Sequence, residues 1–408
     1  MKKIVILLSL SIGFAYADQN IEIVGGSSAG APKLAIVNFT NEDGSISDEI
    51  TNDFKITGEF NVANYTTADS VASGTLYTIK GTVSNDPTTG QMQIQYQLIN
   101  NTTNQVMLDQ TAAFNSQYQR KAVHAIDNAI YQKLTNVKGA FTSKIALSVQ
   151  QSSGKYAIIV SDYDGYNQKT LLTTARPIIS LDWDNSGKYL SYATYETGKP
   201  VVYVQNLAAG TRYAVANFSG SNSSPVFTPN SQKLAVTLSK DYGSHIYLVN
   251  NQRYSSGSYA VPLINYGTID TEADISTTGK LVFTSDHDGG PQIFMTDLNG
   301  SSPIRITNGL GKYNTTARFS NDGSKITFIN RNNGTLQAYV LDLVTQSAYP
   351  VNQNASHDIS PSFAPNDKLI LFSSDNSVYI SNVTGTVQTK LNNLNFSEVV
   401  DQRWSHSY

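Results

Sequence analysis

The sequence predicts a mainly β protein: a smaller α/β domain followed by a six-bladed β-propeller. Three observations predict it. First, one phrase recurs at Trp183, Phe227, Ile275, Phe319 and Phe363, about every 44–48 residues, the period of a blade array. Second, each copy alternates apolar and polar residues between turn residues, as in LAVTLSKDYGSHIYLV from Leu234, the pattern of half-buried antiparallel strands. Third, a sixth copy starts at Trp404 but lacks its middle strands, which stand upstream as KIALSV from Lys144 and YAIIVSD from Tyr156. The C-terminal strand is therefore expected to pair with the first blade and close the ring, removing an open sheet edge.

In chain order, residues 1–17 read as an export signal. Lys2 and Lys3 precede the apolar run Ile4–Ile12, and Ala15-Tyr16-Ala17 is an A-x-A site, with cleavage between Ala17 and Asp18. The apolar run is too short for a membrane anchor. The α/β domain spans 18–137 and opens with a Gly/Ser-rich segment, 18–31, expected to be flexible. Lys33–Phe39 reads as a buried strand. Ser45–Gly58 reads as a helix with Ile46, Ile50 and Phe54 on one face. Leu76–Val83, Met92–Ile99 and Val106–Phe114 read as strands, with a hairpin at Asp86-Pro87 and Gly90. Ser116 is expected to cap a second helix, whose apolar face is Ala122, Ile126, Ala129, Ile130 and Leu134. Lys138–Phe141 is the expected hinge into the propeller, 138–408.

Composition narrows the function classes. Charged residues make up 14% of the chain and the net charge is −3, so there is no basic field for nucleic acid or an anionic membrane. With no cysteine, neither a disulfide nor a lipid-carrying Cys is available. The export signal points to a periplasmic protein, expected to be a monomer. Asn-x-Ser/Thr triplets are frequent and read as turn composition rather than glycosylation sites.

No catalytic or metal site is expected. Gly26-Ser27-Ser28-Ala29-Gly30 matches G-x-S-x-G, but Pro32 and a strand follow where a nucleophile elbow needs a helix. Asp162-Tyr163-Asp164-Gly165 begins like a calcium loop but lacks its later acidic positions and reads as a hairpin turn. His124, His245, His287, His357 and His406 have no metal-ligand spacing and read as surface or loop residues. The stronger candidate is a docking face. The six segments entering the inner strands gather around one mouth of a propeller, and convergent loops on a rigid ring suit protein binding. Two other classes stay open: the propeller of a peptidase-like enzyme, and a propeller holding a small ligand or metal ion in its channel.

The strings KLTNVKGAF from Lys133, SDYDGYNQ from Ser161 and FTSDHDGGPQIF from Phe283 resemble the TolB family of periplasmic propeller proteins of the Tol–Pal system. The resemblance covers nearly the whole chain after the signal. It implies a non-enzymatic scaffold with no cofactor, supporting outer-membrane integrity and envelope constriction at cell division. It implies that the mouth binds the lipoprotein Pal, with family contact positions falling on Thr271, Glu272 and Ser221, and with Ser224, Thr315, His357 and Ser360 of the mouth loops expected beside them, which would hold the protein at the outer membrane. Ser221 departs from the His often found there in the family. The resemblance also implies that the N-terminal segment binds the C-terminal domain of TolA, through Asp18, Ile21, Glu22, Ile23 and Val24.

Overall fold

The computed structural model describes residues 22–25, 30–240, 242–299, 301–352 and 357–408. The repeats resolve into six antiparallel sheets, five of four strands and one, the sixth blade, of five. The innermost strands of the second to sixth blades are Ile178–Trp183, Asn222–Phe227, Asp270–Ile275, Asn314–Phe319 and Asp358–Phe363. Apolar side chains from facing blades meet at the seams. Val226, Ala235 and Ile246 pack with Phe283 and Phe294 between the third and fourth blades. Ile329, Ala338 and Val340 pack with Phe363, Ile370 and Phe372 between the fifth and sixth.

The first blade is built from both ends of the propeller, as the split repeat predicts. Glu398–Trp404 forms its inner strand and pairs antiparallel with Lys144–Ser152, from Glu398 opposite Gln150 to Trp404 opposite Ile145. Trp404 is fully buried, donates from Nε1 to Ser143 Oγ at 2.7 Å and stacks on Tyr163.

The preceding unit carries a five-stranded sheet in the order Asn61–Tyr65, Lys33–Val37, Tyr77–Asn85, Met92–Asn100, Gln105–Phe114. Helices α1 (Ser45–Thr57) and α2 (Gln119–Thr135) pack on each other and on this sheet. Helix α1 ends because Gly58 turns left-handed, at φ 66°. A Cβ there would also stand 2.7 Å from Val387 Cγ2 of the sixth blade, so glycine lets the helix end approach the propeller.

Several expectations change on inspection. Asn61–Tyr65 is a strand, parallel to Lys33–Val37, in a stretch with no clear alternation. Helix α2 begins at Gln119 after a short 3₁₀ turn, Ser116–Tyr118, and Ser116 does not cap it. Its buried face is Val123, His124, Ile126, Asp127, Ile130 and Tyr131, rotated from the expected one because buried polar side chains share it. The expected hinge does not hang free. Ala140 and Phe141 are fully buried, and Phe141 packs against Phe54, Tyr131 and Tyr163. One apolar core runs from Leu34 and Ile50 through Phe141 to Ile145, Leu371 and Trp404, so the small domain shares its core with the first and sixth blades.

Of the N-terminal segment expected to be flexible, Glu22–Gly25 is a strand antiparallel to Val387–Lys390, a fifth strand on the sixth blade. Asp18, Ile21, the Ala17–Asp18 cleavage site and 26–29 of the G-x-S-x-G match lie outside the described residues.

A candidate docking face at the propeller mouth

Every inner strand slips register once on its way into the ring, between Ile179 and Asp182, Ser223 and Val226, Thr271 and Asp274, Thr315 and Arg318, Ile359 and Ser362, and Val399 and Asp401. These are β-bulges, which re-aim side chains and break the ladder locally. In five blades a non-glycine residue takes positive φ there: Ser180 at 60°, Ser224 at 45°, Glu272 at 52°, Thr316 at 57° and Ser360 at 44°. Such backbone costs about 1–3 kcal/mol per residue and persists only where the surroundings enforce it. Pro225 and Pro361 follow two of these positions, where a missing N–H does the ladder no harm. The result is a ring of short polar side chains around the mouth.

The expected contact residues gather here. Ser221, Ser224, Thr271, Glu272, Thr315 and Ser360 are half-buried around the mouth, and His357 is exposed. Glu272 is braced rather than free. Its Oε2 accepts from Thr284 Oγ1 and from the Thr316 backbone N–H, each at 3.0 Å, and its Oε1 accepts from Thr316 Oγ1 at 3.2 Å. It therefore ties the fourth blade to the fifth while holding a fixed carboxylate at the mouth. A groove of about 460 Å³ opens where the ring closes, lined by His357, Ile359, Ser373, Asp375, Asn376 and Glu398 among others.

Residues that repeat reading missed hold the mouth in shape. Asn222, Asp270, Asn314 and Asp358 open four inner strands, and all four are buried. The Asn222 Oδ1 accepts from Phe218 N at 2.9 Å, and Asp270 Oδ2 accepts from Tyr266 N at 2.7 Å. His245, expected on the surface, is buried with Nδ1 3.1 Å from Asp270 Oδ2. The recurring Asn/Asp five residues before each strand-ending Phe or Ile was the available signal. Exposed Tyr242 and Ile269 stand at the seam of the third and fourth blades; their exposure had no sequence signal.

Deeper in the channel, Arg403 from the closing strand crosses to two other blades. Its Nη2 lies 3.1 Å from Asp182 Oδ1 and 2.6 Å from Asp274 Oδ1. The far oxygens of these aspartates accept the backbone N–H groups of Phe227 and Phe319 at 2.9 and 2.7 Å. Burial pushes the Asp182 carboxyl up, but Arg403 and His406 outweigh it and hold it below the usual range.

His124, also expected on the surface, is 2% exposed inside α2. Among the described residues, Asp53, His124 and Asp127 form one set whose ligand atoms lie within 4.8 Å of one another, and His124, Asp162 and Asp164 form a second. Both lie at the joint between the small domain and the first blade, remote from the mouth. Asp162–Gly165 is a hairpin turn between Lys155–Asp162 and Lys169–Thr174.

Residues 131–408 match the family model described as the TolB beta propeller domain. The chain belongs to the TolB family. It is 33% identical to the Tol-Pal system protein TolB of Bordetella parapertussis over 314 residues, 73% of this chain and 70% of that protein. It is 31% identical to the namesake of Francisella tularensis over 274 residues, 64% of this chain and 62% of that protein. The crystal structure of TolB from Acinetobacter baumannii superposes with a TM-score of 0.84 at 26% identity, covering 95% of this chain and 99% of that one. Among the described residues no helix is long and apolar enough to cross a membrane.

Proposed function

We propose that this TolB-family chain is a non-enzymatic periplasmic scaffold of the Tol–Pal system, with the propeller mouth binding the lipoprotein Pal and the N-terminal segment binding TolA. The observation that carries the first half is the ring of bulged inner strands, whose strained backbone and braced Glu272 present a preshaped polar face. A preorganised face avoids ordering costs on binding, which favours affinity. The exposed Tyr242 and Ile269 supply apolar anchors at its rim. Calorimetry with the soluble domain of Pal tests it. Glu272→Arg reverses the charge at the mouth and removes the strut to Thr316; it is expected to weaken binding at least tenfold, about 1.4 kcal/mol, with the fold retained by circular dichroism. Unchanged affinity in Glu272→Arg and in Ile269→Asp would refute the mouth as the Pal site.

The TolA half is supported by the docked strand. Glu22, Ile23 and Val24 pair through their backbones with Lys390, Thr389 and Gln388. Four residues of edge pairing are among the easiest contacts to release, and a released strand can add to a partner sheet. Removing residues 18–29 is expected to abolish capture of the TolA C-terminal domain in a pull-down while leaving Pal binding intact. Retained capture would rule out the segment.

A further inference from the structure

A dense group of buried titratable side chains lies at the joint between the small domain and the propeller. Helix α1 brings Glu49 and Asp53, α2 brings Arg120, His124 and Asp127, and the first blade brings Tyr163 and Asp164. His124 Nδ1 lies 2.6 Å from Asp53 Oδ2, and Tyr163 OH donates to Asp53 Oδ1 at 2.5 Å. On its other side, His124 Nε2 faces Glu49 Oε1 at 3.4 Å and Asp164 Oδ2 at 3.5 Å. Arg120 pairs with Asp164, stands 3.5 Å from Glu49 Oε2 and lies over the Tyr166 ring. Lys144 and Asp162 pair nearby. A cavity of about 590 Å³, lined in part by Arg120, Lys121, His124, Lys144 and Asp162, adjoins the cluster.

Four carboxyls thus meet one arginine and one histidine. Fully ionised, the joint would bury a surplus of two negative charges, which a low-dielectric interior does not tolerate. Both oxygens of Asp127, and Oε1 of Glu49, have no hydrogen-bond partner. A divalent ion could offset the surplus, but Arg120 already takes Asp164 Oδ2, and both Asp53 oxygens are taken, by His124 Nδ1 and Tyr163 OH. Protons on Glu49 and Asp127 leave the joint neutral with every charge paired.

We propose that this joint is a proton-held latch: with Glu49 and Asp127 protonated and His124 charged, the small domain is clamped to the first blade, and proton loss on the alkaline side loosens it. The directions agree. Burial pushes Glu49 up to about 8, and burial together with Asp53 raises Asp127 well above the carboxylate range. Burial lowers the His124 affinity for protons, but Asp53 and Asp164 outweigh it and raise it well above its ordinary value. Each of these groups binds its proton more tightly folded than unfolded. Their contribution is therefore full below their unfolded values and falls as pH rises, for Glu49 from about 4.5 to about 8. Asp164 acts oppositely. Burial raises it, but His124 and Arg120 hold it at about 2, so its contribution is lost only as pH falls below its ordinary value of 3.8.

Hydrogen exchange on the whole protein from pH 6 to 9, corrected for intrinsic rates, tests the latch. Protection in α1, α2 and the 161–168 hairpin is expected to fall about tenfold across that range, the change that follows from shifting an equilibrium by ~1.4 kcal/mol. Blades three to five should hold theirs. Glu49→Gln and Asp127→Asn, which mimic the protonated forms, are each expected to flatten the fall. A wild-type profile with no selective change at the joint overturns the proposal without any variant having to fold. So does an unaltered fall in both substitutions, or a stoichiometric metal whose removal by EDTA abolishes the fall. Pal binding plays no part in these readouts, so failure at the mouth would leave the latch standing.

Discussion

Trp404→Ala is expected to destabilise the protein by about 3–5 kcal/mol, seen as a lower urea midpoint by circular dichroism. The indole is fully buried where three units meet: the small domain, the first blade and the sixth. Its ring stacks on Tyr163 at 6.2 Å between centroids, and Tyr163 in turn packs on Phe141 and His124. Truncation opens a cavity in that core and takes from Ser143 Oγ its donor at 2.7 Å, leaving that hydroxyl only its own bond to the Ala140 carbonyl. The backbone N–H of residue 404, which donates to Ser362 Oγ of the sixth blade at 3.0 Å, is kept in the variant, so the loss reports the side chain alone. Trp404→Phe keeps most of the apolar volume and should cost clearly less. A loss under 1 kcal/mol for the alanine variant would mean that closure does not depend on this side chain.

Arg403→Met is expected to cost a further separate 3–5 kcal/mol, roughly the penalty for breaking a buried ion pair from one side. Arg403 is 3% exposed and stands between Asp182 and Asp274, themselves 3% and 2% exposed. Methionine fills the space but leaves both carboxylates buried without the guanidinium, Asp182 keeping only His406 at 3.9 Å. The sign of the pH dependence follows. In the native chain Asp182 is held below its unfolded value of 3.8, so its contribution is present above that value and lost as pH falls through it. The variant loses Arg403's share of this depression while burial still pushes the carboxyl up, so the gap between variant and native protein should narrow as pH drops from 7 towards 4. Adding Asp182→Asn and Asp274→Asn to Arg403→Met should recover much of the loss at pH 7. A gap that is constant with pH would show that packing, not charge, accounts for it.

How much of this was legible varies with the range of the interaction. The blades were legible because each repeat carries its own turn residues and alternation, as at Gly187, Gly279 and Gly323. Closure was legible because Trp404 began a repeat whose remaining strands stood upstream. The bulges were half legible, through Pro225 and Pro361, but nothing local gave Glu272 its brace to Thr316, 44 residues on. The joint cluster was not legible at all. His124 meets Asp53 across 71 residues and Asp53 meets Tyr163 across 110, so no spacing motif exists to read. The same polar residues misled the reading of α2, where His124 and Asp127 lie on the buried face. The strand Asn61–Tyr65 escaped because it is short and its burial does not alternate cleanly.

The clasp between Trp404 and Ser143 spans 261 positions, and this sets an order of events during synthesis. Contacts that distant form late, since the whole intervening chain must be confined first. The ring therefore cannot be completed until the last few residues leave the ribosome, and a product cut short near its end never acquires the finished circle. Completion of the ring is thus tied to synthesis of the seven-residue segment Glu398–Trp404.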